Sequence, residues 1–504
     1  MTVSVNIAAN MLGRAWTAVI GLICVPLYLH FLSVEAYGLV GVLVTLQSVL
    51  AVADLGLSLA LNREFARASV ADVGPGGMGN TLRTLEIVYW TASLIVGGIV
   101  AALAPRIATH WITDTRLPVA TLEHAMMAIG AIVALQLPFS LYQAGLLGLQ
   151  RQVVVNVIVG LASTLRSLGA IAVLWLVSPT IEALLWWQAG VAFVSTSVIA
   201  VILWRRLPGS LPARFDMRVL SATWRFSLAV SGNAIVGVFI TQADKAWLTK
   251  FVSLEQFGFY TLSAVAAGFM STLAIPINMA IFPRFAQLAQ LGDSVGLSAV
   301  YHKACQLMAV ALMPIGVLLV VFPFEMLSLW TGNAHTARSA AVSLVPLAIG
   351  WLLNGLVSVG ASLQSAVGWP GLMLRTNAIM ALVLTPAFAV AIPRFGVLGA
   401  AMGWVVANLA YVVCTIPLMH RRYLRGELRT WYLADVMLPF VAAVAVAAVA
   451  RVSFLPDLNR VKLFAYLGST WLLATIAVLA VVPRVRHQLW ALFVQRMPEN
   501  WASR

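Results

Sequence analysis

The chain has 504 residues, of which 61% are hydrophobic and only 10% charged, and its formal net charge is +14. That composition excludes an ordinary water-soluble globule of this length and makes lipid the chain's main solvent. Three cysteines are too few for a disulfide framework or a metal cage, so redox chemistry is not indicated and no cofactor is expected.

Apolar runs of roughly 20 residues predict membrane-spanning helices. In chain order they cover 11–32, 38–60, 84–104, 124–147, 153–177, 183–204, 226–250, 257–281, 304–322, 341–366, 374–392, 397–418, 435–451 and 461–482. The runs are continuous rather than alternating, and backbone groups in hydrocarbon must be satisfied within the segment, so the reading is helices and not a barrel. The first run carries Arg14 and continues to Leu32 without a small-residue cleavage site, so it is expected to remain as a span rather than to be removed as a signal peptide.

Ten residues from Phe31 to Val40 (FLSVEAYGLV) return as FVSLEQFGFY from Phe251 to Tyr260, with Phe, Ser, Glu and Gly in register. The same offset, within one residue, aligns Arg63 with Arg284 and Asn156 with Asn377. This predicts a duplicated helical bundle, a build common among secondary transporters. The expected architecture is all-α and polytopic, with about 14 transmembrane helices in two six-helix lobes related by the repeat, plus two C-terminal helices. The lobes are placed at 1–204 and 226–419, a basic linker at 205–225, the added pair at 420–482 and a basic tail at 483–504. Six spans separate the repeats, an even number, so both copies should run in the same direction across the membrane.

Arginine placement orients the chain, because basic loops are retained in the cytoplasm. Arg63, Arg67, Arg83, Arg205, Arg206, Arg214, Arg218, Arg421, Arg422, Arg425, Arg429, Arg484 and Arg486 all fall on one face of the predicted topology. Both termini are therefore expected in the cytoplasm, and the positive charge reads as topology and attraction to anionic lipid rather than as nucleic-acid binding.

Enzyme motifs lack their context. Gly74, Gly76 and Gly79 fit a dinucleotide fingerprint and Gly292, Ser294 and Gly296 a nucleophile elbow, but both lie between predicted spans, without the strand each requires. No lysine follows a glycine and no histidine precedes a glutamate, which removes a Walker A loop and a zinc-peptidase helix. The outer loops near 105–123 and 323–338 are short for a folded catalytic subdomain, so the chain is not expected to be an enzyme.

The informative residues are charges inside spans, each of which costs about 2.5–3.5 kcal/mol at mid-bilayer and so needs a partner, water or a function. Arg166 falls near the middle of its span, where it is read as a cation lining a cavity or as half of a salt bridge. Asp244 and Lys245 interrupt the seventh span about 100° apart, a separation that argues against their simply neutralising one another. One of them then points inward, or Lys245 snorkels to the interface. Asp54 precedes Gly56, so it caps a broken helix or couples transport to protons or sodium. Arg14 lies in the first span, while Arg63 and Arg284 come after the repeated spans as anchors or as a substrate-gathering mouth. Asn278, Asn354, Asn377 and Asn408 are read chiefly as interhelical hydrogen-bonding groups.

Three segments carry a family likeness: Pro26 to Ala68, Gly145 to Asn156 and Gln242 to Ala289. In these the chain resembles the polysaccharide or O-antigen flippases, the Wzx type of the multidrug, oligosaccharidyl-lipid and polysaccharide (MOP) exporter superfamily. The resemblance implies two lobes around a central cavity and alternating access that turns an undecaprenyl-diphosphate-linked oligosaccharide to the outer leaflet of the bacterial cytoplasmic (inner) membrane. It also implies ion coupling by a proton or sodium, and membrane lipids and other polysaccharide-assembly membrane proteins as partners. Arg14, Arg63, Arg166, Lys245 and Arg284 would then meet the substrate, and Asp54 and Asp244 the coupling ion. A cation-coupled drug or metabolite exporter and a membrane glycan polymerase are the other readings; an interior rich in arginine and lysine repels cationic drugs.

Overall fold

The computed structural model describes residues 3–68, 77–112, 114–207, 213–455 and 458–486, with the side chains of 3–12, 14, 222–231, 233–234 and 370 outside that description. All regular structure among them is helical. In chain order it comprises α1 Val3–Phe31, α2 Val34–Leu50, α3 Leu57–Ala68, α4 Gly77–Arg106, α5 Val119–Gly148, α6 Gln152–Leu176, α7 Ile181–Trp204, α8 Met217–Phe251 and α9 Leu254–Leu291. Next come α10 Ser294–Val321, α11 Pro323–Thr331, α12 Ala334–Ala366, α13 Pro370–Phe395, α14 Val397–Ala410, α15 Ile416–Tyr423, α16 Leu428–Thr430, α17 Leu438–Val452 and α18 Arg460–Val481.

Twelve of the described stretches are long and apolar enough to cross a membrane, and a shorter apolar helix covers Ala15–Phe31. The twelve match predicted spans, the short helix matches the first, and α8 occupies the position of the seventh. Many helices outrun the apolar runs that revealed them. Arg83, expected in a loop, lies inside α4, because a helix continues past the hydrocarbon wherever its polar end is solvated or paired.

The chain divides into two compact units, Met1–Thr261 and Leu262–Arg504, and the division falls inside α9. In the first, Leu61 and Phe65 of α3, Leu82 and Leu85 of α4, Leu141 and Leu146 of α5, and Leu203 of α7 form one buried cluster. α5 is its most enclosed span; in the second unit α10 and α12 take that place. Lipid is as apolar as leucine, so close packing of small side chains replaces hydrophobic exclusion as the force between spans. The last pair, α17 and α18, packs on α10, with Leu463 and Leu467 against Leu318 and Phe322.

The second predicted span ends sooner than its composition suggests. α2 gives way to a 3₁₀ turn, Ala51–Asp54, and then Leu55 and Gly56 both take left-handed angles, with φ of 45° and 73°. Glycine adopts that conformation without strain and leucine does not, so the break is built at Gly56 and imposed on Leu55. Beyond it α3 is amphipathic, with Leu61 and Phe65 buried and Arg63 and Glu64 exposed.

The repeated decapeptides fold alike. Ser33 and Ser253 each accept a hydrogen bond from the backbone N–H three residues on, at 3.1 and 3.2 Å, the same N-cap in both copies. Within the first unit the two copies also touch reciprocally. A Cβ on Gly38 would lie 2.6 Å from the Leu254 carbonyl oxygen, and one on Gly258 would lie 2.2 Å from that of Val34. Gly258→Val therefore forces backbone apart and should cost about 1–3 kcal/mol. Thermal unfolding of the detergent-solubilised protein measures this, with Gly98→Ala, which meets nothing within 4 Å, as the unaffected control.

Candidate functional site

α6 presents Val157, Leu161, Leu165, Leu168 and Trp175 as one exposed apolar stripe. Arg166 is also exposed, but lies elsewhere on the cylinder: at 100° per residue its neighbours above and below are Ala162 and Ala170, and both are buried. The guanidinium thus leaves a packed face of the first unit rather than the lipid-facing stripe. α1 frames the site, with the Tyr28 hydroxyl donating to the Ser167 carbonyl at 3.1 Å. Arg166 is in no ion pair with a carboxylate among the described residues. A cation so placed, without a carboxylate partner, can receive an anionic ligand.

Asp54 stands at the break after α2. Its carboxylate accepts from the Ser58 hydroxyl at 2.7 Å, the Tyr89 phenol at 2.5 Å and the Ser140 hydroxyl at 3.4 Å, which joins the break to α4 and α5. Among the described residues its partners are hydroxyls and not backbone N–H groups, so it braces the broken helix against neighbours instead of capping its amides. Asp244 is built on the same plan: it is buried, and accepts from the Tyr260 phenol at 2.5 Å.

Lys245 departs from expectation. Two adjacent helical residues diverge by about 100°, yet the flexible lysine stem folds back, placing Nζ 3.4 Å from Asp244 Oδ1 and 2.7 Å from the Thr241 carbonyl. The pair does engage itself. Arg63 in the first unit and Arg284 in the second are each exposed on their own unit, and Arg284 donates to Gln287 at 3.4 Å. The Arg14 backbone lies in α1, but its side chain is outside the described residues, as are Gly74 and Gly76 of the glycine motif. Gly292, Ser294 and Gly296 form the turn into α10, where Asp293 is the N-cap, so the elbow resemblance is a helix start.

The polar spans of the second unit knit together. Asn278 bonds Ser358 at 2.8 Å and Ser362 at 2.9 Å, Asn354 bonds Asn408 at 2.9 Å, and Tyr411 donates to Asn377 at 2.8 Å. Helix-to-helix bonding is thus the observed role of these amides.

Two buried polar clusters escape a reading by hydropathy. In the first unit Glu86 accepts from Tyr142 at 2.6 Å, Arg83 at 2.6 Å and Trp204 at 3.1 Å. In the second, His302 of α10 is wholly buried between two carboxylates, with Nδ1 against Asp435 and Nε2 3.2 Å from Glu427. Gln306 donates to Asp435 at 3.0 Å and accepts from the Arg484 backbone N–H at 3.1 Å. Hydropathy gives the last helix pair no deep charge, yet Asp435 is fully buried in a π-helical turn, Trp431–Met437, that leads into α17. Glu325 and Arg451, 2.5 Å apart, pin the other end of α17.

This backbone is that of the MOP-superfamily flippases and transporters. The lipid II flippase MurJ in an inward closed conformation superposes with a TM-score of 0.75, covering 94% of this chain and 97% of that one at 9% identity. An inward-facing MATE-family multidrug resistance transporter gives 0.62 over 85% and 96% at 15% identity. The MATE multidrug transporter DinF-BH gives 0.61 over 82% and 94% at 14% identity. No curated protein shows significant sequence similarity to the chain. By its sequence profile, which matches over residues 30–340, the chain belongs to the polysaccharide biosynthesis protein family. With twelve helices among the described residues long and apolar enough to cross a membrane, it is a multi-pass membrane protein.

Proposed function

We propose that this chain is a flippase that carries an undecaprenyl-diphosphate-linked oligosaccharide from the inner to the outer leaflet of a bacterial cytoplasmic membrane, for O-antigen, exopolysaccharide or capsule assembly. The carrying observation is Arg166, a cation set on a packed face of a span in a polysaccharide biosynthesis family. Diphosphate is the anion a guanidinium fork suits, and binding it repays the arginine's cost in the membrane. Arg63 and Arg284 gather the headgroup, Arg166 with Arg14 and Lys245 holds it, and the lobes at 1–204 and 226–419 rock to change access. Both termini are in the cytoplasm, because the arginine-rich loops lie on their side.

Asp54 and Asp244 are the ion-coupling groups of this reading. Each carboxylate accepts from a tyrosine, so gain of a proton rearranges a bond between helices. Asp54→Asn keeps the shape and removes the titration. Its transport should fall about tenfold and lose its response to collapse of the proton gradient. An unchanged response would leave Asp54 a brace.

Leaflet transfer of lipid-linked oligosaccharide in proteoliposomes tests the function directly. Drug export is the second reading, favoured by the likeness to MATE transporters. Uptake of a cationic dye without glycolipid transfer in the same vesicles would establish it instead.

A further inference from the structure

The second unit holds a pocket of about 580 Å³ between the start of α10, the turn after α15 and the end of α18. Its walls include Arg422, Arg425, Arg484, Ser298 and Glu427. None of the three arginines is paired with a carboxylate among the described residues. The one carboxylate in the wall, Glu427, is engaged elsewhere, 3.2 Å from His302. The arginines are nevertheless held in place. Arg422 lies over the Trp369 ring at 4.5 Å and the Tyr423 ring at 5.5 Å. Arg425 Nε donates to the Arg421 carbonyl at 3.3 Å, and Arg484 is fixed through its backbone N–H and through Nη1 to the Ala299 carbonyl at 3.5 Å.

We propose that this pocket binds a phosphate group, that of an anionic lipid headgroup in the adjacent leaflet. Three guanidiniums line one cavity with a single carboxylate, Glu427, so the wall carries excess positive charge, and a tetrahedral oxyanion relieves that excess while accepting several charge-assisted bonds. Stacking on Trp369 and Tyr423 holds Arg422 in place before the ligand arrives, which lowers the ordering cost of binding. The cavity exceeds a bare phosphate and falls in the range of small-ligand sites, about 300–1,000 Å³, so a glycerophosphate headgroup fits. It is lined by the ends of apolar helices, and basic pockets between the ends of spans are the kind that take acidic lipids. None of the residues assigned to the transported substrate lines it.

The test uses the full chain in nanodiscs of phosphatidylcholine with and without phosphatidylglycerol or cardiolipin, read by native mass spectrometry of retained lipid. Wild type should retain acidic lipid over phosphatidylcholine, and Arg422→Gln/Arg484→Gln should lose at least about tenfold of that retention. Arg422→Lys/Arg484→Lys, which keeps the charge and loses the forks, should fall between. Inorganic phosphate and pyrophosphate are titrated against wild type without acidic lipid. Thermal protection by either, abolished in the glutamine variant, with no retained lipid would support the phosphate site and overturn the lipid source. Equal retention by wild type and a glutamine variant with an unchanged melting temperature would overturn the site. If the glutamine variant fails to fold, the lysine variant decides: retention equal to wild type overturns the role of the forks.

Discussion

Replacing Arg166 by alanine should abolish surface polysaccharide in cells and reduce leaflet transfer in proteoliposomes by about 10- to 100-fold, with inserted protein unchanged. The magnitude reflects the loss of one charge-assisted bond to an anion, about 1.5–3 kcal/mol. Insertion should survive because the side chain leaves a face bounded by Ala162 and Ala170, so truncation removes a charge without opening a core cavity. Arg166→Lys separates charge from geometry: a lysine keeps the attraction and loses the planar fork, so it should restore part of the rate. Normal export from the alanine variant, at normal protein levels, would remove this residue from the mechanism and with it the chief support for an anionic substrate.

The largest stability effect should come from the other unit. His302→Ala leaves Asp435 buried beside Gln306 and Glu427 without its imidazole, and stripping a buried carboxylate of its hydrogen-bond partner costs about 3 kcal/mol. The network ties α10 to the turn before α17, and Gln306 carries it on to the backbone at Arg484. The loss should therefore appear as release of the last two helices, seen as faster proteolysis or amide exchange after residue 424, as well as a lower melting temperature. His302→Ala combined with Asp435→Leu removes both partners of the tightest contact and leaves no buried carboxylate unsatisfied there, so it should recover part of the loss. A His302→Ala protein as stable as wild type would show the cluster to be dispensable glue.

The spans are legible in the sequence because lipid imposes so simple a rule: each needs about 20 apolar residues, and only helices satisfy their own backbone. The repeat is legible too, down to Ser33 and Ser253, because an N-cap is a local contact that sequence spacing encodes. Partners are not. That Asp54 meets Tyr89, or Glu86 meets Tyr142, depends on how helices far apart in sequence lie against one another, which hydropathy leaves open. Asp435 escapes hydropathy because it stands at the edge of an apolar run, where a charge looks solvated; the π-helical turn extends the helix backward and carries it inside. Lys245 defeats the picture of helical residues as rigid spokes, because a four-carbon stem swings far enough to reach its neighbour.

The touching of Gly38 with Leu254 and of Gly258 with Val34 has a historical consequence. Position 34 of one copy matches position 254 of the other, and 38 matches 258, so each side offers the same patch and receives the same patch. That is the isologous form of a twofold dimer. In an unduplicated parent one mutation would have altered both halves of the joint at once. Fusion into a single chain would free them to diverge; here one side is Val34 and the other Leu254, while the glycines that let the backbones meet stand on both.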